Sequence, residues 1–168
     1  MSKSRTAEWR KWPGMERQEL VHAVRTTIAA VISLLLARLI RLPESYWSPI
    51  TTMIVMQSTL GAALTVSKHR LAGTAMGAIT GALLATFIGT NAPVCGTGVF
   101  LCGIICAMLQ VERTAFRYAG ITLTIILLIS HSRSVWVIAV HRFIEISLGI
   151  AVGLFMTVVW PEPPVAAG

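Results

Sequence analysis

Ionisable side chains set inside long apolar runs are where this chain could do chemistry, because a charge at bilayer depth costs a few kcal/mol unless it pairs, snorkels or meets water. Three places hold them. Near the C-terminal end, His141, Arg142 and Glu145 lie on one run. Glu145 is four residues from His141 and three from Arg142, so on a helix either can reach it. A guanidinium there would attract an anion, while Glu145 and His141 could exchange protons, since imidazole titrates near neutrality. The plainer alternative is a self-satisfied ion pair. On the first run, His22, Arg25, Thr26, Ala29 and Ser33 follow a three-to-four spacing. They give a helix face that is polar at one end and small deeper in, unless Arg25 only snorkels to the headgroups. The third place is Ser67-Lys68-His69-Arg70, read as a basic turn before a helix starting at Leu71. Free amides and the positive dipole end of such a helix, beside Lys68 and Arg70, would hold an anion; the alternative is a basic cytoplasmic anchor. Ser48, Thr51, Thr52, Gln57, Ser58 and Thr59 are dense for one span and must face neighbouring helices or a wet path, with Thr51 a candidate lining residue.

Other chemistries find little support. There is no Asp, the four His are scattered over separate segments, and no Cys and His stand at metal-ligand spacing, so neither a metal site nor a cofactor is expected and the chain is not read as an enzyme. Cys95, Cys102 and Cys106 fall in one apolar stretch and read as packing residues. The net charge of +7 would suggest nucleic acid in a soluble protein. In a chain that is 55% hydrophobic, with a mean hydropathy of +0.73, the same excess reads as basic cytoplasmic loops meeting anionic headgroups, with no nucleic-acid partner.

What must position these residues is an all-α, polytopic membrane bundle. An apolar stretch from Leu20 to Trp160, broken by short polar turns, has room for about six helices of ~20 residues. The breakers place them at about 19–42, 45–63, 71–90, 94–110, 118–130 and 135–160. The fifth is short and must either borrow Thr114 to Arg117 or lie partly re-entrant. Residues 1–18 read as a basic cytoplasmic or interfacial segment, with Trp9 and Trp12 beside Arg10 and Lys11. They lack an h-region and cleavage site, so the first helix is expected to insert and stay. Residues 19–161 form the transmembrane module and 162–168 a short cytoplasmic tail. Counting basic residues at the turns gives nine on the N-terminal side (Lys3, Arg5, Arg10, Lys11, Arg17, Lys68, Arg70, Arg113, Arg117) against three opposite (Arg38, Arg41, Arg133), which favours N-in, C-in. Trp9, Trp12, Trp47, Trp136 and Trp160 fall near predicted membrane boundaries. Gly73, Gly77 and Gly81, and again Gly149 and Gly153, recur every four residues and open grooves for close helix packing, within the bundle or at a dimer seam.

The stretch Tyr46-Trp47-Ser48-Pro49-Ile50-Thr51-Thr52, continuing through Val55-Met56-Gln57 to Arg70-Leu71-Ala72-Gly73-Thr74, resembles the second and third helices of the fusaric acid resistance (FUSC) and aromatic acid exporter superfamily, which includes plant aluminium-activated malate transporters. Arg25-Thr26-Thr27 in the first helix, and Arg142-Phe143-Ile144-Glu145 leading to Gly149 and Trp160-Pro161 in the last, resemble the ends of the same module, so the likeness covers residues 19–161. The resemblance implies a six-helix module that moves organic anions, aromatic carboxylates included, across the bacterial inner membrane. Larger members add a cytosolic region or a second six-helix half; a lone unit is expected to pair as a homodimer. The resulting expectation is efflux of small organic anions, with Arg25, Arg70 and Arg142 attracting the carboxylate, Glu145 and His141 coupling protons, and His22 and Thr51 along the path. A passive anion channel and a non-transporting scaffold of an envelope complex are the alternatives. The transport expectation needs the arginines of the first and last helices to border water; the scaffold expectation has them satisfied by neighbours.

Overall fold

A computed structural model describes residues 17–57, 59–110, 112–129 and 134–161. Residues 1–16 of the predicted basic N-terminal segment, with Trp9 and Trp12, together with Ser58, Arg133 and the tail 162–168, lie outside the described residues, while the last two residues of that segment open the first helix. Among the described residues every regular element is a helix: α1 (Arg17–Leu39), α2 (Trp47–Val55), α3 (Leu60–Phe87), α4 (Ala92–Met108), α5 (Arg113–Leu128) and α6 (Val135–Val159). Of these, α1, α3 and α6 are long and apolar enough to cross a membrane, and α4 is a shorter apolar helix. The chain leaves α1 through a tight C-terminal closure, with the Leu42 amide bonding the Ala37 carbonyl at 3.0 Å and Arg41 in the left-handed region at φ 55. Pro43 follows, where a helix has no way to continue.

Two predicted boundaries are corrected. The second helix stops at Val55 instead of running to Ala63, and Ser67-Lys68-His69-Arg70 is not a turn but the interior of α3. Thr59 is the reason. Its extended backbone and its Oγ1, which accepts from the Ala62 amide, cap a new helix at Leu60. Lys and Arg are good helix formers, so nothing local breaks the chain at 67–70. The fifth helix borrows Thr114 to Arg117, beginning at Arg113.

Consecutive helices alternate in direction. Ser33 meets Ser48 and Arg25 meets Gln57, so α2 runs back along α1. Ala63 clusters with Ile146 and Ile150, and Ala78 with Ile138 and Ala139, so α3 and α6 are antiparallel. Gly73 faces Ala115 and Gly77 faces Ala119, which makes α5 parallel to α3, and Cys95 beside Thr124 turns α4 against α5. The long pair α3 and α6 is therefore a spine. One end of it is covered by α1 and α2, with apolar clusters around Ala29, Met56, Val152 and Met156 and around Val55, Ala63, Ile146 and Ile150. The other end is covered by α4 and α5, with clusters around Leu84, Cys102, Leu123 and Leu127 and around Ala82, Ile126 and Ile138.

Between the two apolar ends lies a buried polar seam of Ser48, Thr51, Thr52, Arg70, Thr74, Thr122, Arg142 and Glu145. Glycines let the backbones close around it. A Cβ on Gly73 or Gly77 would fall 2.3 and 2.2 Å from the Ala115 and Ala119 carbonyl oxygens, so α5 of the same chain fills the α3 groove. One on Gly149 would fall 2.4 Å from the Ser48 carbonyl oxygen, and one on Gly153 would press Val55 at 3.0 Å, which seats α2 against α6.

Candidate functional site

The seam is organised by two guanidinium groups. Arg70, in the third turn of α3, and Arg142, in the second turn of α6, both line a void of about 10 Å³ walled by Trp47, Thr74, Tyr118, Ile121, Thr122, Ile125 and Ile146. That is room for about one water molecule. Each guanidinium lies over an aromatic face: Arg70 4.7 Å from the Tyr118 ring centroid and Arg142 4.4 Å from that of Trp47. Arg70 donates from Nε and Nη2 to the Thr51 hydroxyl at 3.3 and 3.1 Å, and Thr51 in turn donates to the Trp47 carbonyl. Among the described residues no carboxylate lies within ion-pair distance of Arg70, which is 5% exposed. Buried polar atoms nearby are also left without hydrogen bonds: Thr74 Oγ1, Arg142 Nη1 and Glu145 Oε2. Arg142 Nη1 and Glu145 Oε2 face each other as an ion pair at 3.6 Å, which leaves the Thr74 hydroxyl beside the buried Arg70 cation as a setting that an anion's oxygen, or water, would complete.

Arg142 differs from Arg70 in having carboxylates. Its Nη2 donates to Glu44 Oε2, and its Nη1 stands 3.6 Å from Glu145 Oε2. Glu44 sits in the connection between α1 and α2, where its Oε2 also accepts from the Tyr46 hydroxyl at 2.7 Å and from the Trp47 indole N–H at 3.2 Å. The hydrogen bond to Glu44 pushes the Tyr46 phenol above its ordinary value of 10.0. Glu145 Oε1 accepts from the Glu44 amide at 3.0 Å and so ties this connection to α6. Sequence reasoning missed Glu44. Its position beside Pro43 reads as a helix boundary, and its partner lies 98 residues away.

The remaining candidates fall elsewhere. Arg25 is fully buried and donates to the main-chain carbonyls of Trp160 at 2.6 Å and Gln57 at 2.9 Å, which joins α1 to the ends of α6 and α2 away from the seam. His22 Nε2 lies 3.5 Å from Thr26 Oγ1 on the same helix. His141 does not reach Glu145; its Nδ1 bonds the Val137 carbonyl at 2.8 Å, leaving Arg142 as the i,i+3 neighbour of the acid. The basic cluster on α3 separates by face: Arg70 inward, Lys68 exposed, and His69 3.5 Å from Glu112 at the start of α5. The helix N-terminus expected to bind an anion at Leu71 does not exist, so Arg70 acts by its own side chain. Trp47, expected at a membrane boundary, stacks with Arg142 in the seam. Among the described residues no group of three or more His, Cys or acidic side chains could hold a metal.

The sequence profile of the fusaric acid resistance protein-like family matches residues 28–156. The chain belongs to that family. Over 150 residues it is 25% identical to inner membrane protein YeeA of Escherichia coli K12, covering 85% of this chain and 41% of the relative. Over 151 residues it is 32% identical to the uncharacterized transporter YdhK of the same strain and 30% identical to YdhK of Salmonella typhimurium LT2, covering 84% of this chain and 22% of each relative. The chain thus spans less than half the length of these curated relatives. No solved structure matches it significantly. The family match encloses Glu44, Thr51, Arg70, Arg142 and Glu145, whereas Arg25 lies before its first residue.

Proposed function

We propose that the chain is a six-helix, multi-pass module of the bacterial inner membrane, with both ends cytoplasmic, that exports small organic anions, aromatic carboxylates among them, and works as a homodimer. The observation that carries this reading is Arg70: a buried guanidinium, held at the middle of the fold by a hydroxyl and an aromatic face, with no ion-paired carboxylate among the described residues. Removing a charge from water costs several kcal/mol, a cost that structural packing alone gives no reason to bear. A site near the midpoint of a helical bundle is also where membrane transporters bind their cargo. The relatives, an inner membrane protein and two uncharacterized transporters by name, agree in kind.

The seam is closed: its void admits about one water, so passage of a carboxylate requires the two ends of the bundle to move against each other. Arg142 with Glu44 and Glu145, and Arg25 with its two carbonyls, are the observations that favour the second reading, a scaffold whose arginines are satisfied internally. Benzoate flux into liposomes containing the full chain separates the two. Transport predicts flux that falls about tenfold or more in Arg70→Gln, the loss expected for one hydrogen-bonded charge. Wild-type liposomes no leakier to benzoate than protein-free ones would leave the scaffold reading standing. Repeating the measurement with and without a pH gradient separates proton-coupled export from a passive channel.

A further inference from the structure

We propose that Arg142, the Trp47 indole and the Tyr46 hydroxyl form a receptor for a monovalent carboxylate, and that Glu44 occupies it as a tethered stand-in which the incoming carboxylate displaces. This deepens the organic-anion reading above and rests on it. Three donors from three side chains converge on one oxygen, Glu44 Oε2. Convergent donors around a single anionic oxygen are what a carboxylate receptor requires. The present occupant is easily exchanged, because Glu44 belongs to neither α1 nor α2 and its side chain is 32% exposed, while Arg142 beneath it is 2% exposed.

Contacts that do not involve the Glu44 side chain also hold the receptor. Arg142 is held over the Trp47 ring, and the Tyr46 and Trp47 rings lie 5.7 Å apart, offering an apolar flank to the organic part of a ligand. Charge sets the ligand's valence. At the receptor, Arg142 Nη2 meets the one carboxylate of Glu44, one cation against one anion. Replacing Glu44 by one monoanion preserves that balance, whereas vacating the place leaves a buried cation short of its counter-ion and a dianion overshoots. Behind the receptor, Thr74 Oγ1 remains without a hydrogen bond beside Arg70, so a carboxylate that has displaced Glu44 finds its next partners deeper in the seam. Glu145 holds the Glu44 amide and thereby fixes how readily the stand-in leaves.

The test uses the full chain in detergent with benzoate as the probe and calorimetry as the readout. Glu44→Gln removes the competing charge but leaves an amide oxygen for Arg142, and it is expected to bind benzoate about tenfold more tightly than wild type, the gain that follows if the tether leaves roughly one site in ten open, since apparent affinity scales with the open fraction. In the wild-type chain, saturating benzoate is expected to speed amide hydrogen exchange at Glu44, where displacement loosens the bond to Glu145. Affinity in a folded Glu44→Gln that equals or falls below wild type overturns the proposal, as does failure of either protein to bind benzoate. If the variant does not fold, unchanged Glu44 exchange in benzoate-saturated wild type overturns it alone. Liposome flux keeps the two readings apart: tightened binding without flux defeats transport and spares the receptor, whereas flux lost in Arg70→Gln with no gain of affinity in Glu44→Gln defeats the receptor and spares transport.

Discussion

Arg25 and Arg70 are both buried, yet their surroundings assign them opposite roles. Arg25 satisfies main-chain carbonyls at the end of α6 and at the α2–α3 break, groups with no partner further along their own helices. Arg25→Gln is therefore expected to cost about 2–3 kcal/mol of stability in a denaturant titration in detergent, because two part-buried carbonyls lose their charged donor. Arg70→Gln is expected to leave stability within about 1 kcal/mol of wild type, since the lost hydroxyl and ring contacts are offset by relief of a buried charge. Equal losses in the two variants would contradict this division. The arginines and Glu145 were legible in the sequence because an ionisable residue in an apolar run stands out whatever the fold. Which of them face the same void was not legible, since that depends on α3, α5 and α6 meeting across long sequence separations. Glu44 was missed for the same reason: nothing local to Pro43-Glu44-Ser45 announces Arg142.

Among the elements, α1, α4 and α6 could be read closely from apolar runs and their breakers, whereas the α2–α3 boundary was displaced by about ten residues. Charge at Lys68-His69-Arg70 suggests a turn, but Gln57-Ser58-Thr59 ahead of an apolar run is the stronger signal, the pattern of a helix start. The glycine spacing was visible, but not which helix fills each groove. That assignment predicts a graded series. Gly73→Ala and Gly77→Ala would drive a Cβ against α5 backbone at 2.3 and 2.2 Å and are expected to destabilise by about 3 kcal/mol or more, the upper range of overpacking, because two backbones must separate. Gly81→Ala meets its neighbours only at 3.3–3.4 Å and is expected to cost less. Gly96→Ala on α4, with nothing within 4 Å, is expected to gain up to about 1 kcal/mol from helix propensity. Thermal unfolding in one detergent ranks all four, and a flat ranking would mean that α5 does not pack on α3 through these residues.

At the scale of the whole molecule, six helices of alternating direction bring the ends of the described chain together, as the bond from Arg25 to the Trp160 carbonyl shows directly. The spine helices α3 and α6, 28 and 25 residues long, would extend about 42 and 38 Å, more than the ~30 Å hydrocarbon thickness, so they must tilt or project. The shorter α4 and α5, 17 and 16 residues, cover only one end of that spine. Moving Lys68 and Arg70 from a loop into α3 weakens the charge count on which the orientation was based, but Lys3, Arg5, Arg10, Lys11 and Arg17 still lie before or at the start of α1 and keep the excess at the N-terminal end. Helix α2, 9 residues and about 14 Å long, crosses only together with the residues that flank it; if the chain traverses six times with that end in the cytoplasm, the connections after α1 and α3 face outward and the one after α4 faces inward. Pro43, Asn91 and Leu109 are exposed in those connections, and native Cys95, Cys102 and Cys106 are buried. Pro43→Cys and Asn91→Cys are therefore expected to react with a membrane-impermeant maleimide on intact cells, and Leu109→Cys only after permeabilisation. The reverse pattern would invert the orientation and with it the direction from which Glu44 is approached. Labelling of Pro43→Cys and Asn91→Cys from opposite sides would mean that α2 and α3 do not both cross, and the seam would then lie at the membrane surface instead of at its middle.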